Sequence, residues 1–324
     1  MKGFRDIRDK KILYIATKNS DYLRLTQEIR MLREQGNEVT EIVSSSKSYP
    51  KRLMYVYRRL LFTDISGYDM VFAGFAPQLV IPLFRRKLRK KPLVIDFFIS
   101  MYDTLCFDRK KFRPGSIPGR ILRYIDKKTL AAADMAICDT KAHGRYFCGE
   151  FGCPDDKMKV LYLEADTSIY YPRETPEHKD FTVLYFGSVL PLQGVDIILK
   201  AIDLLKDEEG LRFIFVGPLG KDNVPAGENI TEYISWLSQD ELAEKIASAD
   251  LCLAGHFSSS IMKAKRTIPG KAYIYHAMGK PMILGDGPAN HELFREDGES
   301  VYFCKMGDPQ ALAELILKIK GQSS

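Results

Sequence analysis

The stretch that decides the fold is TVLYFGSVLPLQGVDIILKAIDLLKDEEGLRFIFVGP, residues 182–218. It begins with a short β-branched and aromatic run that ends at Gly187, and it closes on a similar run that ends at Gly217. Between the two runs lies a segment near 194–206 whose apolar residues recur at helical spacing. A strand, a helix and a second strand in this order predict a parallel βαβ unit.

The same alternation extends in both directions along the chain. Apolar runs that predict further strands lie at residues 11–17, 38–45, 70–75, 93–98, 135–140, 159–163, 229–235, 251–255, 281–286 and 301–304. A polar, proline-bearing segment, EADTSIYYPRETPEHKD (164–180), separates the two series. We therefore predict an α/β protein with two doubly wound Rossmann-like domains, residues 1–170 and 171–324, facing across a cleft. The last helix is expected in the second domain, with packing back on the first domain as an option.

Length and composition exclude several classes of protein. A chain of 324 residues that is 45% hydrophobic and 28% charged suits two globular domains. No apolar run approaches the roughly 18 residues of a membrane span, and the start MKGFRDIRDKK has no apolar signal-peptide region. The six cysteines form no C-x-x-C pair, so we expect reduced, structural thiols in a cytoplasmic protein.

The formal net charge of +6 is unevenly distributed. Residues 1–170 carry 32 Lys and Arg against 20 Asp and Glu, whereas the remainder carries 16 against 22. An asymmetry of this kind predicts that the first half faces an anionic partner.

Residues 266–294, RTIPGKAYIYHAMGKPMILGDGPANHELF, predict an anion site in the second domain. The order is turn, helix, strand, turn and a second helix start, so two helix N-termini with free N–H groups would meet there. Arg266 and Lys271 flank the first N-terminus, and Gly285, Gly287 and Ala289 allow close backbone approach at the second. Arg and Lys together suit a nucleoside diphosphate. The alternative is that these glycines and prolines only form turns and the cations are solvated.

The second half resembles the retaining glycosyltransferases of family 4, which have the GT-B fold. YFGSVLPLQGVDIILKAIDLL resembles the opening of their C-terminal domain, and ISWLSQDELAEKIASADLCLAG resembles the next helix and strand. GKPMILGDGPANHELFREDGES resembles their donor-site turn, and ADTSIYYPRE the linker. The resemblance covers residues 159–319 well and the first half only in layout. It implies a nucleotide-sugar donor site built from Gly187, Ser188, Gly217, Trp236, His256, Arg266, Lys271, Gly287 and Glu292.

The sequence departs from the family's pattern in that site. The family has an Arg and a Lys where this chain has Ser188 and Gln193. Aligned on the later helix, its two glutamates fall on Arg266 and Ile274. Two explanations stay open: a degenerate GT-B protein that serves as a partner subunit, or a rebuilt site in which Arg266 and Lys271 replace the missing cations.

The first domain is expected to bind the acceptor, because the family places a polar or histidine-bearing turn after its fourth strand. Here VIDFFISMYDTL offers Asp96 and Asp103 as catalytic carboxylates, with Ser100 and Tyr102 as acceptor ligands. A carboxylate there would orient the acceptor hydroxyl or take its proton. The alternative for Asp96 is a helix cap or a turn. The loop TKNSDY (17–22) lacks the family's usual glycines, which argues against a phosphate contact from that side.

The resemblance implies neither a metal nor a cofactor beyond the nucleotide-sugar substrate, and no two histidines have metal-ligand spacing. His143 and His276 are expected on helices. Basic clusters at 49–62, 83–92 and 108–128 are mixed with apolar residues, which favours an anionic membrane surface over nucleic acid; a solvated basic face is the alternative.

The sequence thus predicts a metal-independent, retaining glycosyltransferase at the inner face of the plasma membrane. It would transfer a sugar from a nucleoside diphosphate to a hydroxyl of a lipid-linked glycan, in the synthesis of cell-surface polysaccharides or glycoconjugates. A non-catalytic GT-B subunit or glycan-binding protein is the alternative, and a sugar epimerase of the same fold is a third option.

Overall fold

The computed structural model describes residues 3–174, 178–219 and 227–322, and all twelve predicted strands lie within them. The chain divides into two units, Met1–Leu163 and Glu164–Ser324. This division lies seven residues before the predicted boundary at 170. Gln27 Nε2 donates to the carbonyl of Tyr162, which ties the chain to the first unit up to that point, whereas Arg173 pairs with Glu244 inside the second unit.

The N-terminal unit is built on a six-stranded parallel sheet with the strand order β2-β1-β3-β4-β5-β6. Its four central strands are short runs that are buried on both faces almost throughout, as parallel strands are, whereas the edge strands β2 and β6 are partly exposed. The six strands are β1 (Lys11–Ile15), β2 (Glu38–Ile42), β3 (Met70–Ala73), β4 (Leu93–Asp96), β5 (Met135–Cys138) and β6 (Met158–Val160).

Five helices cover this sheet: α1 (Leu23–Glu34), α2 (Tyr49–Phe62), α3 (Ile81–Leu88), α4 (Ile117–Ala132) and α5 (Lys141–Phe151). Right-handed crossovers place α1 on one face and the other four on the opposite face, because the chain reverses its direction along the sheet after β2. The buried residues agree with this division. Leu25 and Leu32 of α1 belong to one core cluster, whereas Val56, Ile81 and Leu130 of α2, α3 and α4 belong to another.

The C-terminal unit repeats the design with the strand order β12-β11-β10-β7-β8-β9, again all parallel. Its strands are β7 (Phe181–Phe186), β8 (Leu211–Val216), β9 (Thr231–Ile234), β10 (Leu251–Gly255), β11 (Met282–Gly285) and β12 (Val301–Cys304). Its helices are α6 (Val195–Leu204), α7 (Gln239–Ala247), α8 (Met262–Arg266), α9 (Gly270–Ala277) and α10 (Pro309–Gln322). The last helix, α10, packs on α6 of its own unit.

The strand order locates the ligand edge of this second sheet. From β7 the chain builds outward through β8 and β9, and it then returns to add β10 on the other side of β7. The loops that leave β7 and β10 therefore diverge to opposite faces and open a crevice at the carboxyl ends of these two strands. Open α/β sheets bind their ligands at such a switch point.

Candidate donor site and the acceptor-side carboxylates

Glycines close the carboxyl ends of β7 and β8 and let the two ends pack together. Gly187 follows β7 and Gly217 follows β8. A Cβ atom added to Gly217 would lie 2.3 Å from the carbonyl oxygen of Gly187, which is closer than any side chain tolerates. Gly194, at the start of α6, has φ +70°, and a Cβ there would lie 2.6 Å from the backbone of Phe257. The sequence therefore needs glycine at Gly194 and Gly217 to bring the loops of the switch point into contact.

Lys271 reaches this switch point from the first turn of α9. Its side chain is buried, with a relative exposure of 5%. Its Nζ donates to Gln193 Oε1 over 2.5 Å and lies 4.8 Å from the ring centroid of Tyr185. The missing Cβ of Gly187 would be 3.4 Å from the same Nζ. The ammonium therefore lies beside Gly187, a predicted donor residue, and beside Gln193, which stands where the family has a lysine.

This ammonium is poorly compensated. Burial lowers the pKa of Lys271 to about 7, and no carboxylate of the described residues forms an ion pair with it. Its nearest partners are a neutral amide and an aromatic ring. Burial also raises the pKa of Tyr185, whose hydroxyl is buried and has no hydrogen-bond partner among the described residues. A buried cation next to an unused hydroxyl is a site prepared for an anion.

The predicted second helix N-terminus is wrong. Residues 290–292 form only a single 3₁₀ turn, Asn290–Glu292. The chain does not continue as a helix because Asp297 accepts the backbone N–H groups of Glu299, Ser300 and Val301, which fixes the turn into β12. Only α9, with eight residues, offers a helix N-terminus at this place.

The backbone next to Arg266 is in contact with the turn that contains Gly287. Arg266 is the last residue of α8 and is half-buried. The backbone N–H of Ala289 donates to the carbonyl of Lys265, and the missing Cβ of Gly287 would be 3.4 Å from the Lys265 Cα. The turn after β11 therefore packs against the end of α8, and the absence of a side chain at Gly287 leaves room for this contact.

The other predicted donor residues occupy different depths. His256 follows β10 and is buried, with Nδ1 3.4 Å from Thr267 Oγ1. Glu292 is half-buried on its 3₁₀ turn, and Ser188 is exposed directly after Gly187. Trp236 is 75% exposed after β9, so it is a surface residue and not a core one. Contact of these four residues with a donor stays a prediction.

In the N-terminal unit, Asp96 ends β4 inside a buried ion-pair network. Arg24 of α1 holds its carboxylate with two hydrogen bonds, Nη2 to Oδ1 at 2.9 Å and Nε to Oδ2 at 3.2 Å. Arg24 also pairs with Glu28 at 3.1 Å, and Tyr14 donates to Glu28 over 2.5 Å. Burial, with the charge of Asp96 beside it, raises the pKa of Glu28 well above its ordinary value. The sequence analysis missed this network, although the i,i+4 spacing of Arg24 and Glu28 signals an ion pair.

The loop after β4 is held by Asp126 of α4. The Asp126 carboxylate accepts hydrogen bonds from the Ser100 hydroxyl at 2.6 Å, from the backbone N–H of Tyr102 at 2.8 Å and from Gln78 Nε2 at 2.9 Å. The backbone N–H of Asp103 in turn donates to Ser100 Oγ. This anchor explains why Ser100 and Asp103 are buried at the start of a π-helix, Asp103–Asp108.

The burial of this loop bears on the predicted acceptor residues. Asp96, Ser100 and Asp103 are at most 1% exposed, and the ring of Tyr102 packs on Phe107. None of the three polar side chains offers a free surface to an acceptor in this structure. Their predicted catalytic and acceptor-binding roles therefore stay predictions, and the structure gives Asp96 and Ser100 positions as internal anchors.

A carboxylate that the sequence analysis did not select is more exposed at the same edge. Asp139 follows β5, and its side chain is 21% exposed. The ring of His143, on the first turn of α5, is fully buried and binds Asp139 through Nδ1 at 2.8 Å. The signal was in the sequence: Asp139 and His143 are four residues apart around the helix cap Thr140. The histidine fixes the orientation of the carboxylate at the carboxyl edge of the sheet.

The described residues contain no group of three or more His, Cys, Asp or Glu side chains that could hold a metal ion. All six cysteines are buried and unpaired thiols. None of the helices in the described ranges is both long and apolar enough to cross a bilayer.

Comparison with known proteins relates the C-terminal unit to a family. A family model for the glycosyl transferases group 1 matches residues 180–321. Residues 180–321, called below the glycosyltransferase group 1 domain, are therefore similar to that family. A probable glycosyltransferase, WbjE of Pseudomonas aeruginosa, is 33% identical in an alignment that covers 78% of this chain and 66% of that protein. The chitobiosyldiphosphodolichol beta-mannosyltransferase of Candida albicans is 24% identical over 72% of this chain and 56% of its own length. The chain thus spans less than two thirds of both curated relatives.

Solved structures confirm the GT-B fold for the glycosyltransferase group 1 domain together with the N-terminal unit. Anabaena HepE in complex with UDP has a TM-score of 0.63 at 16% identity, over 97% of this chain and 91% of that one. The sucrose-phosphate synthase of Thermosynechococcus elongatus has a TM-score of 0.67 at 11% identity, over 96% and 90%. The predicted fold class of two Rossmann-like α/β domains is therefore confirmed.

Proposed function

We propose that the protein is a glycosyltransferase that transfers a sugar from a nucleoside diphosphate sugar to a hydroxyl group of a glycan acceptor. The observation that carries this proposal is the position of Lys271. Its buried ammonium lies at the switch point of the group 1 domain, next to Gln193 and Gly187. The curated relatives support the reaction class, since one is named a probable glycosyltransferase and the other a mannosyltransferase.

The rebuilt-site hypothesis gains support from one distance. Where the family has a lysine, this chain has Gln193, and Lys271 Nζ is only 2.5 Å from the Gln193 amide oxygen. Lys271 therefore places a positive charge within one hydrogen bond of Gln193, the position where the family's lysine is absent. Arg266, at the end of α8, is the proposed second cation for the diphosphate.

In the proposed reaction the leaving diphosphate gains negative charge as the bond to the sugar breaks. Lys271 and the free N–H groups at the start of α9 would stabilise that charge without reorganising, and such fixed electrostatic groups usually provide the largest share of catalysis. Removing one charged hydrogen bond from the site costs about 1.5–3 kcal/mol of binding free energy. His256 and Glu292 are the proposed ligands of the sugar and the ribose, Ser188 is the proposed contact of the phosphate, and Trp236 is the proposed contact of the base.

We further propose that the transfer proceeds with retention and without a metal ion. A retaining transfer needs no carboxylate base that faces the acceptor hydroxyl, and Asp96 is committed to Arg24. The anomeric configuration of the product, read by proton NMR, decides this point. A product of inverted configuration would refute retention and would make the half-buried Asp139 the candidate base.

The N-terminal unit is the proposed acceptor-binding unit, in cell-surface polysaccharide or glycoconjugate synthesis at the inner face of the plasma membrane. A lipid-linked acceptor is supported by the Candida relative, whose name specifies a saccharide on a dolichol diphosphate.

The second candidate is a GT-B subunit that binds but does not catalyse. The observation that favours it is the loss of charge at Ser188 and Gln193, together with Ile274 at a place where the family has a glutamate. A catalytic site without these groups needs replacements, and a regulatory subunit does not.

A charge-swap experiment tests the proposal. Calorimetric titration with UDP, GDP, CDP and dTDP should identify a ligand, and Lys271→Gln should then weaken its binding by about tenfold to a hundredfold. The double variant Gln193→Lys with Lys271→Gln exchanges the two side chains, so that the ammonium is carried by residue 193. It should recover at least half of the lost binding free energy.

Lys280 provides the matched control, because it is also a buried lysine of this unit but donates to the carbonyls of Ala247 and Ala249. Lys280→Gln should lower the free energy of unfolding and leave the affinity of the folded protein unchanged. If no nucleoside diphosphate binds, or if Lys271→Gln binds as the wild type does, the catalytic reading is wrong.

A further inference from the structure

The three basic segments that the sequence analysis singled out form one surface in the structure. Helices α2, α3 and α4 cover the same face of the N-terminal sheet, in that order. Lys87 of α3 donates to the carbonyls of Leu60 and Leu61 at the end of α2, and α3 also packs on α4. We call the outward side of these helices the α2–α4 face.

The α2–α4 face is almost free of acidic residues. Residues 49–62, 81–91 and 117–132 contain fourteen Lys and Arg but only one carboxylate, Asp126. Asp126 is fully buried and points inward to Ser100 and Gln78, so it neutralises nothing on the surface. Two of the fourteen cations are already engaged, because Arg123 pairs with Glu150 of α5 and Arg52 is buried against backbone carbonyls. The other cations leave a positive surface, which attracts an extended anionic surface.

Apolar side chains stand among these cations. Ten of the sixteen large apolar side chains that are exposed in the described ranges lie between residues 49 and 124, although these residues are less than a quarter of the chain. Phe62 is 86% exposed at the end of α2, and Ile117 is 75% exposed at the start of α4. The others on the three helices are Tyr49, Met54, Tyr55 and Leu61 of α2, Leu83 of α3, and Ile121 and Tyr124 of α4.

We propose that the α2–α4 face docks on an anionic lipid bilayer, with Phe62, Leu61 and Ile117 inserted and the cations on lipid phosphates. This inference deepens the proposed function, because it specifies the surface on which a lipid-linked acceptor would be met. Nucleic acid matches the charge but offers no partner to exposed aliphatic side chains, whereas the bilayer interface accommodates both. Within α2, Val56 and Leu60 are buried and face the sheet. The exposed Leu61 and Phe62 are therefore the residues at the end of this helix that can insert into the bilayer.

The test compares two variants of equal charge in a vesicle sedimentation assay. The face variant carries Arg58→Glu, Arg86→Glu and Arg120→Glu, one exposed residue from each helix. The control variant carries Lys200→Glu, Lys206→Glu and Lys318→Glu on α6, the turn after it and α10 of the other unit. Three reversals change the formal net charge from +6 to 0 in both variants. Each protein is assayed as the full chain, with vesicles of phosphatidylcholine alone or with roughly one third phosphatidylserine.

The wild type and the control variant should pellet with the anionic vesicles at low salt, and little with neutral ones. Each cation near the surface contributes roughly fivefold in partitioning, so the face variant should bind about a hundredfold more weakly. Leu61→Ser should also weaken binding, whereas Leu204→Ser, a similarly exposed leucine of α6, should not. Equal pelleting with both lipids, with neither lipid, or of the face and control variants would overturn the proposal. So would binding of a duplex DNA fragment by the same cations with no binding of vesicles.

Nucleoside diphosphate titrations of the same variants separate this inference from the proposed function. Both charge variants should keep the wild-type affinity for the nucleotide, because none of the six residues lies in the donor site. A wild-type protein that binds a nucleoside diphosphate but no anionic vesicles would refute only the docking surface, whereas one that binds vesicles but no nucleoside diphosphate would refute only the proposed function.

Discussion

The affinity of the donor site for a nucleoside diphosphate should fall as the pH rises from 7 to 9. Burial lowers the pKa of Lys271 to about 7 in the free protein. Its side-chain amine is therefore about half protonated at pH 7 and about one per cent protonated at pH 9. A bound diphosphate favours the charged form and raises this pKa again. The apparent affinity should therefore fall by roughly 5-fold to 25-fold over these two pH units if the uncharged form binds tenfold to a hundredfold more weakly, with about 50-fold as the upper limit.

The nucleotide itself does not produce this trend. A phosphate monoester has its second pKa near about 6, so the ligand stays fully ionised above pH 7. The groups that face the ammonium are the Gln193 amide, which does not titrate, and Tyr185, whose pKa is raised by burial. Neither changes its charge between pH 7 and 9.

Isothermal titration calorimetry at constant ionic strength measures both parts of the effect. At pH 8 the Lys271 amine of the ligand-free protein is only about one tenth protonated, so binding should take up roughly 0.9 proton. This uptake makes the measured heat of binding depend on the ionisation enthalpy of the buffer. Lys271→Gln should bind more weakly at pH 7 and should show no proton uptake. An affinity that changes less than about twofold from pH 7 to 9 would refute the reasoning, as would an unchanged slope in Lys271→Gln.

Three further perturbations test the remaining parts of the structure. Arg24→Met leaves Asp96 buried without its partner and should lower the free energy of unfolding in urea by about 3–5 kcal/mol. Gly217→Ala places a methyl group against the carbonyl of Gly187; it should cost about 1–3 kcal/mol of stability and weaken nucleotide binding measurably. Asp139→Asn should lower turnover more than Asp96→Asn does per folded molecule, with donor affinity near that of the wild type; the reverse order would restore Asp96 as the acceptor-side carboxylate.

The fold could be predicted from the sequence because it depends on local patterns that repeat. Each strand is a short apolar run, and each run is followed by a turn or a glycine, so the alternation alone implies parallel sheets. The strand order needs long-range pairing, and it was known only from the structure. The one structural error, a helix after Ala289, came from a local signal: Gly287-Pro288 resembles a helix entry, but Asp297 captures the following backbone in a turn.

The candidate site was less predictable because it depends on depth, which a sequence does not display. Lys271 was selected for its place at a helix start, but only the structure reveals that its Nζ bonds Gln193. Asp96 was selected for its place after β4, and no local signal shows that Arg24, 72 residues away, holds its carboxylate. Asp139 was passed over because its turn carries no family motif.

The most direct test of the central claim is a crystal structure of the protein with the nucleoside diphosphate that binds tightest in titration. The account predicts a phosphate oxygen within about 2.7–3.2 Å of Lys271 Nζ, at the carboxyl ends of β7 and β10. A diphosphate bound elsewhere, with Lys271 still bonded only to Gln193, would contradict it.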